Sequence, residues 1–595
     1  MIRFPYGMSN FHRIRTDNYL YIDRTNYLPL LEEVGRQLVF LRPRRFGKSL
    51  LLSMLSNYYD MNKADQFESL FGDLTIGANP TPEHNQYLIL QWDFSMVSGQ
   101  GNIEQIKKNL FDHVNSSIRD FLVYYADRLT GQPIISSTNA LLSLEELTAV
   151  VRHSGQSIYL FIDEYDNFAN EVLMHDIADK KRYLDLLEGE GIVKSLFKII
   201  KGSATEGGIE RVFITGVAPL VLSDVTSGYN VATSIFMEDE FNALCGVTND
   251  ELTQLVTQVT EECGQSPKEC HSLLATMKDF YNGYRFCQNT DQETLYNPTL
   301  CFYFLRHYQK KCETPRQMLD ANLATDAGRI RYIAQLPEGT KVLEQIMDAE
   351  NPPTLPLLEN QFGIEHLERL QHDSRYMISL MYFFGILTIK DIVGLGNLQM
   401  GVPNLVIQAL YVKQLLNHAL PKSRDQILPA QLAEKFYQSA DLKPLADYME
   451  EKYFTVFNNR DYRWSNELTV KTAFLTLLFN DLWYVMDSER VVKRQYSDLV
   501  MTIRPSMRKY ETLKDIIVEF KYLSLQDLGL TGEQLREQSR ETLMQLAIVQ
   551  EKLDEAEKQL NTYRITFNER IQEPKRLVCI VVVSLGFDRV VWRNV

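Results

Sequence analysis

Short apolar runs alternate along the first part of the chain with longer stretches in which apolar residues recur every three to four positions. Runs rich in β-branched and aromatic residues fall at LVFL (38–41), LILQWDF (88–94), SIYLFID (157–163) and RVFITGV (211–217). Near-continuous apolar strands separated by amphipathic helices predict a parallel sheet flanked by helices. From about 241 to 400 the helical period takes over. That stretch closes on a β-like segment around YFFGILTIKD and GVPNLVIQALY, read as a small winged-helix element. Helices return over 425–480, and three strand-like runs, VVKRQY, DLVMTIR and DIIVEFKYL, occupy 489–523. A long charged helix is expected over 533–563, then one further buried strand in RLVCIVVVSLG. The fold class is therefore α/β multidomain, with expected domains at 1–240, 241–424 and 425–595.

Composition narrows the class. A chain of 595 residues exceeds one hydrophobic core. Its 45% hydrophobic and 23% charged residues are ordinary for a globular protein. It has no apolar run long enough to span a bilayer, and MIRFPYGMSNFHRIR lacks the apolar core of a secretory signal, so a cytoplasmic location is expected. The seven cysteines (Cys245, Cys263, Cys270, Cys287, Cys301, Cys312, Cys579) form no CxxC pair and read as free thiols in a reducing compartment. A net charge of −15 argues against coating nucleic acid by bulk charge. It leaves room for a local basic strip from Lys493, Arg494, Arg504, Arg508, Lys509 and Lys514, which reads equally as a solvated face.

The segment RPRRFGKS (42–49) follows the first apolar run and opens a helix. It matches the phosphate-binding pattern G-x-x-x-x-G-K-[ST], except that Arg42 holds the first glycine position. Gly47 lets backbone amides approach phosphates, Lys48 reaches the outer phosphates and Ser49 can hold magnesium; Arg44, Arg45, Phe46 and Leu50 complete the expected ATP contacts. The second element, IYLFIDE, delivers Asp163 to magnesium and Glu164 to an attacking water. IDE alone would suit an acidic turn after a buried strand; after strand-GKS-helix, the nucleotide reading is stronger. Thr215, at the tip of RVFITGV, is a candidate γ-phosphate sensor. Arg285 in YNGYRF is better read as a packing residue than as a lid arginine.

The second candidate site lies near the C-terminus. Asp498 opens one strand-like run, and Glu519 and Lys521 sit two apart on another that looks paired with it, so the latter two share a face. Charges inside IIVEFKYL are costly to bury unless they pair or hold metal. Metal-held carboxylates beside a cation are what phosphodiester hydrolysis needs. Glu467, at the start of an apolar helix, is placed to add a carboxylate, although helix N-termini favour Glu anyway. Gln559 and Tyr563, at i and i+4, share a helix face that could touch nucleic acid or simply solvent.

With these residues in view, the chain resembles bacterial AAA-ATPase-like proteins that carry a C-terminal PD-(D/E)xK nuclease domain. The matching segments are YIDRTNYLPLLEE, FLRPRRFGKSLLLSML, LFIDEYDNF, FITGVAPLVLSDVTSGYN, YNGYRF with LYNP, YFFGILTI with VPN, and YSDLVM with VEFKYL. The resemblance implies a P-loop ATPase core, a helical lid, a winged-helix-like segment and a restriction-endonuclease-like domain. It also implies that the RPRRFGKS form is usual, that Asp498, Glu519 and Lys521 are the nuclease motif with Glu467 upstream, and that Gln559 and Tyr563 form a helix motif.

The leading expectation is an ATP-regulated, magnesium-dependent nuclease acting on DNA, in defence or control of mobile DNA. ATP and magnesium are the expected cofactors, with manganese an alternative at the nuclease site; DNA is the expected partner, and assembly into a homo-oligomer is open. The alternative is a nucleotide switch whose C-terminal domain binds nucleic acid or a protein without cutting. A translocating motor is weaker, because no helicase motif accompanies the nucleotide site.

Overall fold

The computed structural model describes residues 1–99, 101–167, 192–220, 232–319, 324–348, 351–360, 362, 366, 369–370, 372–420, 422–454, 467–487, 490–492, 495–568 and 573–595. The chain divides into two compact units, one of 1–312, 332–342 and 353–403, the other of 313–331, 343–352 and 404–595. Among the described residues no helix is long and apolar enough to cross a membrane.

The first unit is built on a five-stranded sheet. Its strands are β1 (Gln37–Leu41), β2 (Leu88–Asp93), β3 (Ile158–Asp163), β4 (Ile209–Gly216) and β5 (Thr233–Ser234), in the order β2-β3-β4-β1-β5. Every pairing is parallel, as the apolar runs predicted. All six residues of β3 are buried, which fits a strand covered on both faces. The covering helices are α1 (Lys48–Tyr59), α2 (Ile103–Tyr124), α3 (Ala140–His153) and α4 (Ile192–Glu206). Because β4 lies between β1 and β3, the loop after β1 and the acidic end of β3 flank the tip of β4.

Three further helices pack together: α5 (Asn249–Glu262), α6 (Pro267–Tyr281) and α7 (Pro298–Lys311). Local chemistry sets their starts. Thr248 and Glu251 form a capping box on α5, and Ser266 and Asn297 cap α6 and α7, each followed by proline. Cys263 and Cys312, at the C-terminal ends of α5 and α7, form a disulfide, which corrects the expectation of free thiols; the other five cysteines are free. The two helix ends bring the sulfurs together, a proximity that spacing in the chain does not reveal.

A three-stranded antiparallel sheet of β6 (Thr354–Leu355), β7 (Thr388–Val393) and β8 (Asn397–Gly401) completes this unit, with α8 (Ser374–Phe383) ahead of the β7–β8 hairpin. The expected β-like stretch is thus only partly strand. MYFF ends α8, and LVIQALY opens α9 (Leu405–Ala419), where the Asn404 side chain accepts from the Ile407 amide and starts a helix.

In the second unit, β9 (Tyr484–Asp487), β12 (Leu499–Ile503), β13 (Asp515–Leu523), β14 (Leu577–Leu585) and β15 (Arg589–Asn594) form a mixed sheet in the order β15-β14-β13-β12-β9. Only β13 and β14 pair in parallel within it. VVKRQY, expected as one strand, is instead a separate hairpin of β10 (Arg490–Val492) and β11 (Gln495–Ser497); Lys493 and Arg494 lie outside the described residues. The apolar helix α10 (Glu467–Leu478) packs on β13, where Phe474 meets Phe520 at 4.9 Å.

The long helix expected over 533–563 is broken. Helices cover Gly532–Glu537 and Arg540–Met544 before α11 (Ala547–Asn568) begins, and Ser539 caps the second by accepting from the Thr542 amide. α11 lies against β13 and β14, closing a core of Ile517, Leu523, Val549, Leu553, Leu560, Val581 and Val583.

Candidate functional site

The loop between β1 and α1 carries RPRRFGKS. Gly47 precedes the helix at φ +102°, and a Cβ there would meet no atom, so the need for glycine is conformational. Arg45 also adopts a left-handed conformation, at φ +67°. Its carbonyl accepts from Thr299 Oγ1 at 3.1 Å. Phe46 is buried, with Tyr284 and Phe286 of YNGYRF edge-on to it at 4.8 and 5.1 Å. Arg44 and Leu50 are half-buried beside the loop.

Arg42, in the place of the first glycine, does not face the phosphate loop's open side. It is 1% exposed. Its guanidinium donates to the carbonyls of Leu41, Phe236, Phe241 and Asn242, between the rings of Phe40 and Phe286 at 4.4 and 4.3 Å. Burial pushes it down to about 10. This arginine ties β1 to the chain after β5.

At the end of β3, Asp163 joins three elements. Its Oδ2 accepts from Ser49 Oγ at 2.6 Å and its Oδ1 from Thr215 Oγ1 at 2.5 Å. Burial raises the Asp163 carboxyl, while the Ser49 and Thr215 hydrogen bonds and the Lys48 charge oppose it. Glu164 follows at φ +51°, an uncommon conformation for a residue with a side chain. The turn is held by its amide on Asp163 Oδ1 and by Asn167 N donating to its carbonyl at 2.9 Å. There its carboxylate lies 3.5 Å from Lys48 Nζ, which also donates to the Pro43 carbonyl at 3.3 Å. Thus the expected residues Lys48, Ser49, Asp163, Glu164 and Thr215 are brought together.

Sequence reasoning missed Asp166, which is fully buried and accepts from the amides of Val217 and Ala218. It locks the tip of β4 against the turn after β3. The third acid of IDEYD was its only sequence signal. Arg285 is buried and donates to the carbonyls of Thr290, Ile389 and Lys390, a packing role as expected. Beside Gly47 a small, mainly apolar cleft of about 70 Å³ is lined by residues including Leu20, Tyr21, Phe46, Leu50, Leu244 and Phe302.

In the second unit, β12 and β13 pair so that Leu499 faces Val518, which sets Asp498 beside Glu519. Glu519 and Lys521 share the face of Ile517 and Leu523 on β13. Asp498 Oδ2 accepts from the Phe520 amide at 2.6 Å, and Asp498 Oδ1 lies 3.5 Å from Lys471 Nζ. Lys521 Nζ lies 3.6 Å from Glu519 Oε1 and 3.5 Å from Glu467 Oε1. The structure therefore gathers Glu467, Asp498, Glu519 and Lys521, and adds Lys471, which sequence reasoning missed.

Glu519 is 3% exposed, and among the described residues its Oε2 has no hydrogen-bond partner. Burial first, then Asp498, push its carboxyl up to about 8, outweighing the pull of Lys521. Burial works to lower Lys521, but Glu467, Glu519 and Asp498 hold its ammonium above the ordinary value. Among the described residues no three His, Cys, Asp or Glu side chains form a ready metal cage. Magnesium needs fewer: it commonly takes one or two carboxylates, with water and substrate phosphate filling the rest. A buried, unpartnered carboxylate oxygen beside a second acid fits that requirement.

Gln559 lies exposed on α11, and the side chain of Tyr563 lies outside the described residues. The basic strip is smaller than expected. Arg504 is buried and donates to the carbonyls of Pro315, Arg316, Asp481 and Leu482. Arg508 makes two hydrogen bonds to the buried Asp515 at 2.8 and 2.9 Å. Both arginines are internal ties; Lys509 is exposed and Lys514 half-buried.

Residues 5–226 match the family model described as AAA-ATPase-like, predicted AAA-ATPase. The match spans the parallel sheet through β4, including the P-loop and the IDE turn. A curated relative from Azotobacter chroococcum mcd 1, an uncharacterized protein in the vnfD 5′ region, is 24% identical over 466 residues, covering 76% of this chain and 77% of its own length. Among solved structures, the Aeropyrum pernix ORC1 protein in complex with DNA is 12% identical, with 67% of this chain and 96% of that chain covered, at a TM-score of 0.28. Cdc6p from Pyrobaculum aerophilum is 9% identical, with 68% and 98% covered, at a TM-score of 0.23.

Proposed function

We propose that this protein is an ATP-binding nuclease that hydrolyses phosphodiester bonds of DNA with magnesium or manganese, under control of its nucleotide state. Defence against foreign DNA, or control of mobile DNA, is the role that such a pairing suits.

In the first unit, the amides of Arg44 to Leu50 and the Lys48 ammonium bind the phosphates. Ser49 and Asp163 are the magnesium ligands, Thr215 reads the γ-phosphate, and Glu164 orients water. The apolar cleft beside Gly47 takes the base. Phosphates that occupy Lys48 release Glu164 from its 3.5 Å contact, which couples nucleotide arrival to the freedom of the base. The AAA-ATPase-like match over residues 5–226 supports this half.

In the second unit, Asp498 and Glu519 are the metal ligands. Bound divalent cation supplies charge neutralisation at the phosphate and a more acidic water. Lys521 positions that water and faces the developing charge, and Glu467 fixes the Lys521 ammonium. The observation that carries this half is Glu519 Oε2, a buried carboxylate oxygen with no partner among the described residues. Leaving such an oxygen bare is costly, and a cation removes that cost.

The test is a pair of variants in the full chain. Glu519→Ala and Lys521→Ala should each lower metal-dependent cutting by about 100-fold or more while ATP still binds. Cutting that persists in both variants overturns the assignment of the nuclease site to these residues.

A further inference from the structure

Two acids and two ammonium groups face one another across α10 and the β12–β13 pair. Glu467 and Lys471 stand at i and i+4 on α10, so both project from one face. They meet opposite partners: Glu467 reaches Lys521 at 3.5 Å, and Lys471 reaches Asp498 at 3.5 Å. Lys471 is only 6% exposed. Its contact, with the Phe520 amide on the other oxygen, engages both oxygens of Asp498. Glu519 Oε2 remains the buried carboxylate oxygen without a partner among the described residues.

We propose that Lys471 is a positioning residue that braces Asp498 and confines this site to a single divalent cation. The inference rests on the nuclease reading of the second unit. With all three ionised, the carboxylates of Glu467, Asp498 and Glu519 outnumber the ammonium groups of Lys471 and Lys521 by one charge. One divalent cation turns that small deficit into a small excess. A second would leave a large buried positive charge, which is unfavourable without further anions. Lys471 therefore occupies, in charge and in place, the role that a second metal ion fills where two ions share a site. Its removal makes the site more acidic, so cations bind better, yet Asp498 loses its brace.

This separates positioning from plain structural damage, because damage weakens metal binding and cutting together. The experiment is a manganese titration of the full chain without nucleotide, by calorimetry, for wild type, Lys471→Met, Lys471→Arg and Glu519→Gln. Cutting is measured in parallel. The expected result is one ion in wild type that Glu519→Gln abolishes. Lys471→Met then binds manganese about tenfold more tightly, or takes two ions, while cutting about 100-fold more slowly. Lys471→Arg keeps the wild-type stoichiometry and recovers part of the cutting. Wild-type affinity and stoichiometry in Lys471→Met, or weaker binding, overturns the inference. Equal manganese binding in wild type and Glu519→Gln overturns the nuclease reading itself.

Discussion

Ser49 Oγ donates to Asp163 Oδ2 at 2.6 Å, so the hydroxyl that closes the phosphate loop and the acid that ends β3 meet directly. Thr215 takes the other oxygen of the same carboxylate, which puts the ends of β3 and β4 and the first turn of α1 in one hydrogen-bonded chain. Under the proposed function, a nucleotide and its magnesium would enter a framework already assembled.

Lys48 is the cation of that framework. Lys48→Ala should weaken ATP binding by about 100-fold, on the order of 2.7 kcal/mol. The check is a melting experiment: ATP raises the wild-type Tm by mass action and leaves the variant unmoved.

Arg42 gives a prediction opposite to the one its alignment with glycine suggests. Restoring glycine there, Arg42→Gly, should destabilise the first unit by on the order of 3 kcal/mol, because four buried carbonyls lose a charged donor. Arg42→Lys should not rescue it, since an ammonium has no planar fork to span those acceptors. Chemical denaturation of the three proteins measures the order.

The connection between β12 and β13 carries one cation that ties the fold, Arg508, and one that faces solvent, Lys509. Arg508→Ala strands the buried Asp515 and should cost about 3 kcal/mol or more of stability. Lys509→Ala should leave the Tm within about a degree, being a surface change, and any loss of DNA affinity should shrink with salt. Parallel melts and salt-dependent binding assays test both.

Glu519 sets a pH dependence in the metal-free protein. Its folded pKa is raised, from 4.5 to about 8. The folded state therefore holds a proton that the unfolded chain releases, and this favours folding at low pH. The contribution is full below about 4.5 and is lost as pH rises to about 8. Melts in EDTA should show the second unit losing stability across that window, and Glu519→Gln should flatten the loss.

The thiol count offers a further check. Denatured but unreduced protein should titrate as five thiols and reduced protein as seven, since Cys263 and Cys312 are joined.

The elements that the sequence revealed best are those with one dominant signal. Long apolar runs marked β1, β3, β4, β13 and β14, because burial on both faces leaves little room for polar residues. Weaker signals failed where two periods coexist. LVIQALY is apolar enough for a strand, and only the Asn404 cap decides for helix. β9 and β15 are short and half-polar, so their apolar residues gave no clear period. The break at Ser539 is a single hydrogen bond inside a sequence that otherwise favours helix.

At the sites the pattern repeats. Asp163, Glu519 and Lys521 stood out because charge interrupted apolar strands. Lys471 sits in a helix where lysine is ordinary, and only its tertiary burial beside Asp498 distinguishes it. The same holds in reverse for Arg504 and Arg508, which looked like a surface strip and are internal ties.

The most direct measurement is cleavage of plasmid and single-stranded DNA by the full chain with magnesium or manganese, with and without ATP, beside Lys521→Ala. The account predicts metal-dependent cutting that ATP changes in rate and that Lys521→Ala abolishes. Cutting equal in wild type and Lys521→Ala, or no cutting under any of these conditions, contradicts it.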